Sequence, residues 1–154
     1  MAARLVEFLS SVGEISDYSA ADHQLLEDLD DSIEIDAGEI VLLSATGLVP
    51  EYLPLTGDKR CLRAVATCPK CADIAHRIRG RVVCFEQIIC RIIDSVGFEH
   101  VRAKVVPALH TCDTALRAAF GSGTLATQEN SVACLRGYID ELRTLPIDLL
   151  VQER

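Results

Sequence analysis

One stretch of the sequence, residues 82–96, restricts the possible folds more than any other. Its apolar residues recur every three or four positions, and Gly97 follows the last of them. This spacing places a wide apolar stripe on one face of a helix. The stripe consists of Val82, Phe85, Ile88, Ile89, Ile92, Ile93 and Val96. The sequence therefore predicts a helix from Val82 to Val96 at the centre of a helical bundle.

Helix-start signals recur along the rest of the chain. Ser19, Asp36 and Thr127 each precede a helical apolar pattern and are residue types that cap helix N-termini. Leu5 to Val12 has helical spacing, and Pro146 is expected to begin a short last helix. No Asn-Gly or Asp-Gly hairpin signal flanks the β-branched runs. The prediction is an all-α fold of seven or eight helices, with residues 1–154 as a single domain.

Composition excludes several classes of protein. The net charge of −8 argues against nonspecific nucleic-acid binding, which requires a basic surface. No run of apolar residues is long enough to predict a membrane span. Seven cysteines in 154 residues, several within apolar runs, indicate free thiols in a reducing compartment. No cofactor is predicted.

The segment "CPKCADIAH", residues 68–76, is the clearest candidate for chemistry. A Cys-Pro-x-Cys motif at a helix N-terminus is the redox arrangement of glutaredoxin-like proteins, in which the helix dipole stabilises the nucleophilic thiolate. Cys68 would be the nucleophile and Cys71 the resolving thiol. The motif requires a preceding strand, for which "LRAVAT" is the available segment. This segment carries the charged residue Arg63, which argues against a buried strand.

A zinc site is the alternative interpretation of these residues. Cys61, Cys68, Cys71 and His76 could supply four ligands. Only Cys68 and Cys71 have a typical ligand spacing, and residues five apart on a helix, such as Cys71 and His76, point to different sides. Thiols that fill gaps in the core near a helix start are the simpler interpretation.

Two stretches of the chain resemble a known family. "TCDTALRAAFG" with "TQENSVACLRGYIDELRTLPIDLLVQER" resembles the C-terminal half of the poxviral Bcl-2-like proteins, which act in immune evasion inside the host cell. "LLEDLDDSIEIDAGEIVLL" resembles the second helix of that family. Together these stretches cover less than half of the chain. The family commonly has Trp where this chain has Phe120.

The resemblance implies a Bcl-2-like helical bundle without enzymatic activity. Such proteins act in the host cytoplasm, where they bind host signalling proteins and inhibit NF-κB or innate immune activation, or bind pro-apoptotic proteins. A partner groove lined by Val82, Phe85 and Ile89 would follow.

The family also often dimerises through its first and sixth helices. In this chain, that homodimer or partner face would include Arg4, Glu7, Arg136, Gly137 and Asp140. The alternative to a binding protein is a glutaredoxin-like thiol-disulfide oxidoreductase that uses Cys68 and Cys71.

Overall fold

The computed structural model of the chain describes residues 10–11, 15–29, 35–49 and 51–152. Within these residues it contains eight α-helices, three short 3₁₀ segments and two strands of two residues each, so the all-α prediction is confirmed. The helices are α1 Ala20–Glu27, α2 Ala37–Ala45, α3 Lys59–Thr67, α4 Ala72–Ile78, α5 Phe85–Val96, α6 Phe98–Val105, α7 Thr114–Phe120 and α8 Gln128–Arg143. The 3₁₀ segments are Pro69–Cys71, Val106–Thr111 and Gly123–Leu125, and the strands are β1 Leu55–Thr56 and β2 Val83–Cys84.

The predicted helix caps are confirmed. The Ser19 hydroxyl accepts a hydrogen bond from the Asp22 amide at 3.2 Å, which begins α1. Asp36 and Glu39 exchange side-chain and backbone hydrogen bonds at the start of α2, at 2.9 and 3.3 Å. Thr127 caps α8 in the same way as Ser19 caps α1. The helix predicted between Leu5 and Val12 lies almost entirely outside the described residues.

The start of the long apolar helix was predicted incorrectly. α5 begins at Phe85 rather than at Val82, and the residues before it are extended. Val83–Cys84 pairs in parallel with β1, and Val82 bridges to Leu150. The three residues 82–84 are buried, and β-branched residues that are buried on both sides suit a strand. The apolar residues keep a helical spacing through this segment, although its backbone is not helical.

The short helix predicted from Pro146 is also wrong. The described residues that follow it form no helix, and the Asp148 side chain accepts the amide of Leu150 at 3.1 Å, which favours a turn over a helix. The Val82 amide donates to the Leu149 carbonyl, and the Val151 amide donates to the Val82 carbonyl, both at 2.9 Å. This segment therefore lies against the side of β2 that faces away from β1.

The longest helix, α8, joins the two halves of the molecule. It packs against α3, α5 and α7. Ile139 and Leu142 enter one apolar cluster with residues of α1 to α4, whereas Leu135 enters a second cluster with residues of α5, α6 and α7. α5 was expected at the centre, but its outer face is exposed, including Ile92 and Val96. Within the described residues, no helix has the length and apolar character needed to cross a membrane.

Two substitutions on α8 test its role. Leu135 is completely buried, so Leu135→Ala should lower the free energy of unfolding by about 2–5 kcal/mol. Gly137 is exposed and an added Cβ would meet nothing within 4 Å, so Gly137→Ala should raise it by about 0.5–1 kcal/mol. Urea unfolding followed by circular dichroism measures both changes. A loss of stability in Gly137→Ala would contradict the open space at this position.

Candidate functional site

A cavity of about 580 Å³ lies where the first turns of three helices, α3, α5 and α7, meet. Its walls come from these turns and from the residue before the α3 cap: Gly57, Asp58, Lys59, Arg60, Phe85, Asp113 and Thr114. Gly57, Arg60, Asp113 and Thr114 are exposed, whereas Phe85 is half-buried. The cavity therefore opens to solvent and has an aromatic side chain in its wall.

The wall from α3 begins with the helix cap Asp58. Its carboxylate accepts the amides of Arg60 and Cys61 at 2.7 and 3.2 Å, and the Arg60 guanidinium at 3.0 Å. Partial burial raises the pKa of the Asp58 carboxyl, but these hydrogen bonds outweigh it, so that the pKa lies below its usual value. The Asp58 carboxylate therefore already has hydrogen-bond partners in the backbone of its own helix and in the Arg60 side chain.

Behind this wall, a buried ion pair connects α3 to α5. The Lys59 ammonium lies 2.6 Å from the carboxylate of Glu86, which is completely buried. The same ammonium lies 5.2 Å from the centre of the Tyr138 ring of α8, within the range of a cation–π contact. Lys59 therefore links three helices at the wall of the cavity.

The wall from α7 carries a less occupied carboxylate. One oxygen of Asp113 caps α7 by accepting the Leu116 amide at 2.8 Å. Within the described residues, no cation forms an ion pair with Asp113. Thr114, next to it, accepts a hydrogen bond from the Arg117 guanidinium at 3.3 Å. Asp113 thus offers a solvent-facing negative charge at the rim of the cavity.

The residues predicted to line a groove occupy different places. Phe85 lines the cavity. Val82 and Ile89 are buried in the two apolar clusters, with 0% and 8% of their surfaces exposed. Only one of the three residues therefore reaches the cavity wall.

The residues predicted to form a dimer or partner face are partly described. Arg136, Gly137 and Asp140 are all exposed on α8. Arg136 also lines a second cavity of about 430 Å³, together with Asp94 of α5. Arg4 and Glu7 lie outside the described residues.

The cysteine motif lies between two helices. The segment 62–67, the strand that a glutaredoxin-like site would need, belongs to α3. Cys68 ends α3 and is half-buried, and Pro69 begins a 3₁₀ turn. Cys71 is completely buried, and this burial, together with the neighbouring Cys68 thiol, raises the pKa of Cys71 to about 12. A thiol with this pKa remains protonated at neutral pH and reacts slowly as a nucleophile.

The proposed zinc ligands do not come together. Cys71 is buried while His76 is exposed, and the described residues bring no three of the four candidate side chains within ligand distance of one another. The one group of three potential ligands that the described residues contain is Asp36, Glu39 and Asp58, whose ligand atoms lie within 4.8 Å of one another. These three carboxylates are occupied as the helix caps and capping-box partner described above.

The charged members of the site, Lys59, Glu86 and Asp113, were not predicted from the sequence. A signal was present for Glu86, since it and Gln87 interrupt an otherwise apolar run. Gln87 is buried as well, and it accepts the Cys84 amide at 3.2 Å and donates to the Val151 carbonyl at 3.0 Å. A polar pair within such a run indicates buried polar partners from elsewhere in the chain.

Comparison with protein-family models, with curated proteins and with solved structures found no match to this chain.

Breaking the buried ion pair should be costly. Lys59→Met leaves the Glu86 carboxylate buried without a counter-charge, so the free energy of unfolding should fall by about 3–5 kcal/mol. The double variant Lys59→Met/Glu86→Met removes both charges and should recover most of this loss, because apolar side chains of similar size replace the pair. Urea unfolding of the wild type and the two variants measures the effect. A double variant no more stable than Lys59→Met would contradict this role for the ion pair.

The buried thiols should be protected from alkylation. Burial raises the pKa of Cys71 to about 12 and that of Cys84 to about 11, and it raises the pKa of Cys61 as well. At pH 8, iodoacetamide should therefore modify these three residues at least about tenfold more slowly in the folded chain than in urea. Mass spectrometry of peptides from timed samples gives the rates. The half-buried Cys112 is the internal reference, and equal rates for folded and unfolded Cys71 would rule out its protection.

Proposed function

We propose that this chain is a non-enzymatic binding protein of the Bcl-2-like helical type, which acts in the host cytoplasm by engaging a host signalling protein. The target would be a component of NF-κB or innate immune activation, or a pro-apoptotic protein. The observation that carries the proposal is the solvent-open cavity between the first turns of α3, α5 and α7, with Phe85 in its wall. An open cleft with an aromatic anchor is a common feature of protein recognition sites.

Two further observations support a binding role. The predominantly helical architecture is of the class that the sequence resemblance implies. The segment before Cys68 is helical rather than the strand that a glutaredoxin-like site would need, and Cys71, the predicted resolving thiol, is completely buried. The extended segment after Pro146 departs from the family pattern, which ends in a short helix.

The proposal predicts a measurable effect in cells. Expression of the chain in cultured human cells should reduce an NF-κB reporter after stimulation with tumour necrosis factor, or the purified chain should bind a labelled BH3 peptide in fluorescence polarisation. Phe85→Ala should weaken the observed activity about tenfold, since truncation of a central aromatic anchor typically costs 1–2 kcal/mol or more.

The control is Leu125→Ala, which removes an 82% exposed apolar side chain outside the cavity and should leave the activity unchanged. Circular dichroism spectra of both variants should match that of the wild type. Absence of both reporter inhibition and BH3 binding would overturn the proposal. An equal loss of activity in Phe85→Ala and Leu125→Ala would show that the cavity is not the binding site.

A further inference from the structure

We infer that Cys68 and Cys71 form a site of covalent modification, at which a peroxide converts the two thiols into a reversible disulfide. The inference is independent of the proposed binding function and requires no catalytic turnover by the chain. Neither residue is in a disulfide in the structure. The observation that carries the inference is the short turn that brings the two residues together.

The backbone between the two cysteines holds them at a distance that suits a disulfide. Pro69–Cys71 is a 3₁₀ turn, and the Cys71 amide donates to the Cys68 carbonyl at 3.0 Å. A 3₁₀ turn advances about 2 Å per residue, so the two Cα atoms lie about 6 Å apart. Disulfides join Cα atoms that are about 4.4–6.8 Å apart. The bond can therefore form without unwinding the turn.

The two side chains also lie on the same side of the turn. Cys68 is the N-cap of the turn and has an extended backbone, and Cys71 is its third residue. Side chains at these two positions reach across the first turn toward each other, as in a capping box. Cys71 lies in the apolar cluster shared by α1 to α4, and Cys68 packs against the same cluster. The two thiols are in hydrogen-bonding contact, which contributes to the raised pKa of Cys71.

Only one of the two thiols has to meet the oxidant, and Cys68 is the accessible one. Cys68 is half-buried and lies between the exposed residues Thr67 and Pro69, whereas Cys71 is completely buried. Thiols that respond to oxidants are accessible to solvent and often lie next to a resolving thiol. This single modification does not need the strand that a glutaredoxin-like catalytic site requires.

With hydrogen peroxide, the reaction takes two steps. The Cys68 sulfur attacks one peroxide oxygen, an S–O bond forms as the O–O bond breaks, and the displaced hydroxide leaves as water with the thiol proton. The Cys71 sulfur then attacks the resulting sulfenic acid, an S–S bond forms as the S–O bond breaks, and hydroxide leaves as water with the Cys71 proton. The two sulfurs together lose two electrons, which the peroxide accepts. Low-molecular-weight thiols reverse the modification by thiol–disulfide exchange.

The sequence allows a direct measurement, because a trypsin site lies between the two cysteines. Trypsin cleaves after Arg63, Lys70 and Arg77, so the reduced chain gives the peptides 64–70 and 71–77 separately. The purified full chain is treated with hydrogen peroxide at neutral pH, its remaining thiols are alkylated in urea, and the digest is analysed by mass spectrometry. The two peptides should appear as one disulfide-linked species. Dithiothreitol added before alkylation should remove this species.

Two variants test the assignment of the two thiols. Cys71→Ala removes the resolving thiol, so the sulfenic acid on Cys68 should persist. Its dimedone adduct should be at least about tenfold more abundant than in the wild type, because an adjacent thiol acts at a high effective concentration. The matched control is Cys112→Ser, which removes another half-buried thiol and keeps a donor for the Ala108 carbonyl. It should leave the linked species unchanged.

The inference is overturned if the linked species does not form, or if Cys68 is joined mainly to Cys61 or to a second chain. It is also overturned if Cys112→Ser abolishes the linked species, or if the wild type accumulates as much dimedone adduct on Cys68 as Cys71→Ala does. The linked species is measured on the wild type, so this part of the test does not depend on the folding of a variant.

Discussion

The ion pair between Lys59 and Glu86 is the interaction on which the arrangement of the helices most depends. Glu86 is completely buried at the start of α5, where an ionised carboxylate without a counter-charge would be strongly unfavourable. The first residue of α3 provides that charge, so the ion pair favours packing of α3 and α5 with their N-termini together. The apolar clusters supply most of the burial energy, but apolar contacts are non-directional and would tolerate other relative positions of these helices.

The same pair shapes the cavity in front of it. Lys59 is drawn toward Glu86 and lies over the Tyr138 ring, so its charge is directed into the molecule rather than into the opening. Arg60, the next residue, is held by Asp58. The positive charges at the start of α3 are thus neutralised locally by Glu86 and Asp58.

Local signals in the sequence predicted the fold well where a helix end depends on neighbouring residues. Ser19, Asp36 and Thr127 cap the helices as expected, because a cap is a contact between residues three apart. The segments around Val82 and Pro146 were predicted as helix, yet each forms hydrogen bonds to the other. Their extended conformation depends on pairing between residues more than sixty positions apart, which periodicity cannot reveal.

For a related reason, the sequence predicted only one residue of the candidate site, Phe85. Phe85 was identified because it belongs to an apolar stripe, although a stripe does not show which of its residues remains accessible. Lys59 and Asp113 look like ordinary surface charges in the sequence, and each acquires its role because the helix that it begins or caps starts at the same cavity. Convergence of helix starts is a property of packing, and the buried Glu86 carboxylate contributes to it by keeping the Lys59 ammonium beside the start of α5. Glu86, a charged residue within an apolar run, is therefore the position in this sequence from which the site could have been inferred.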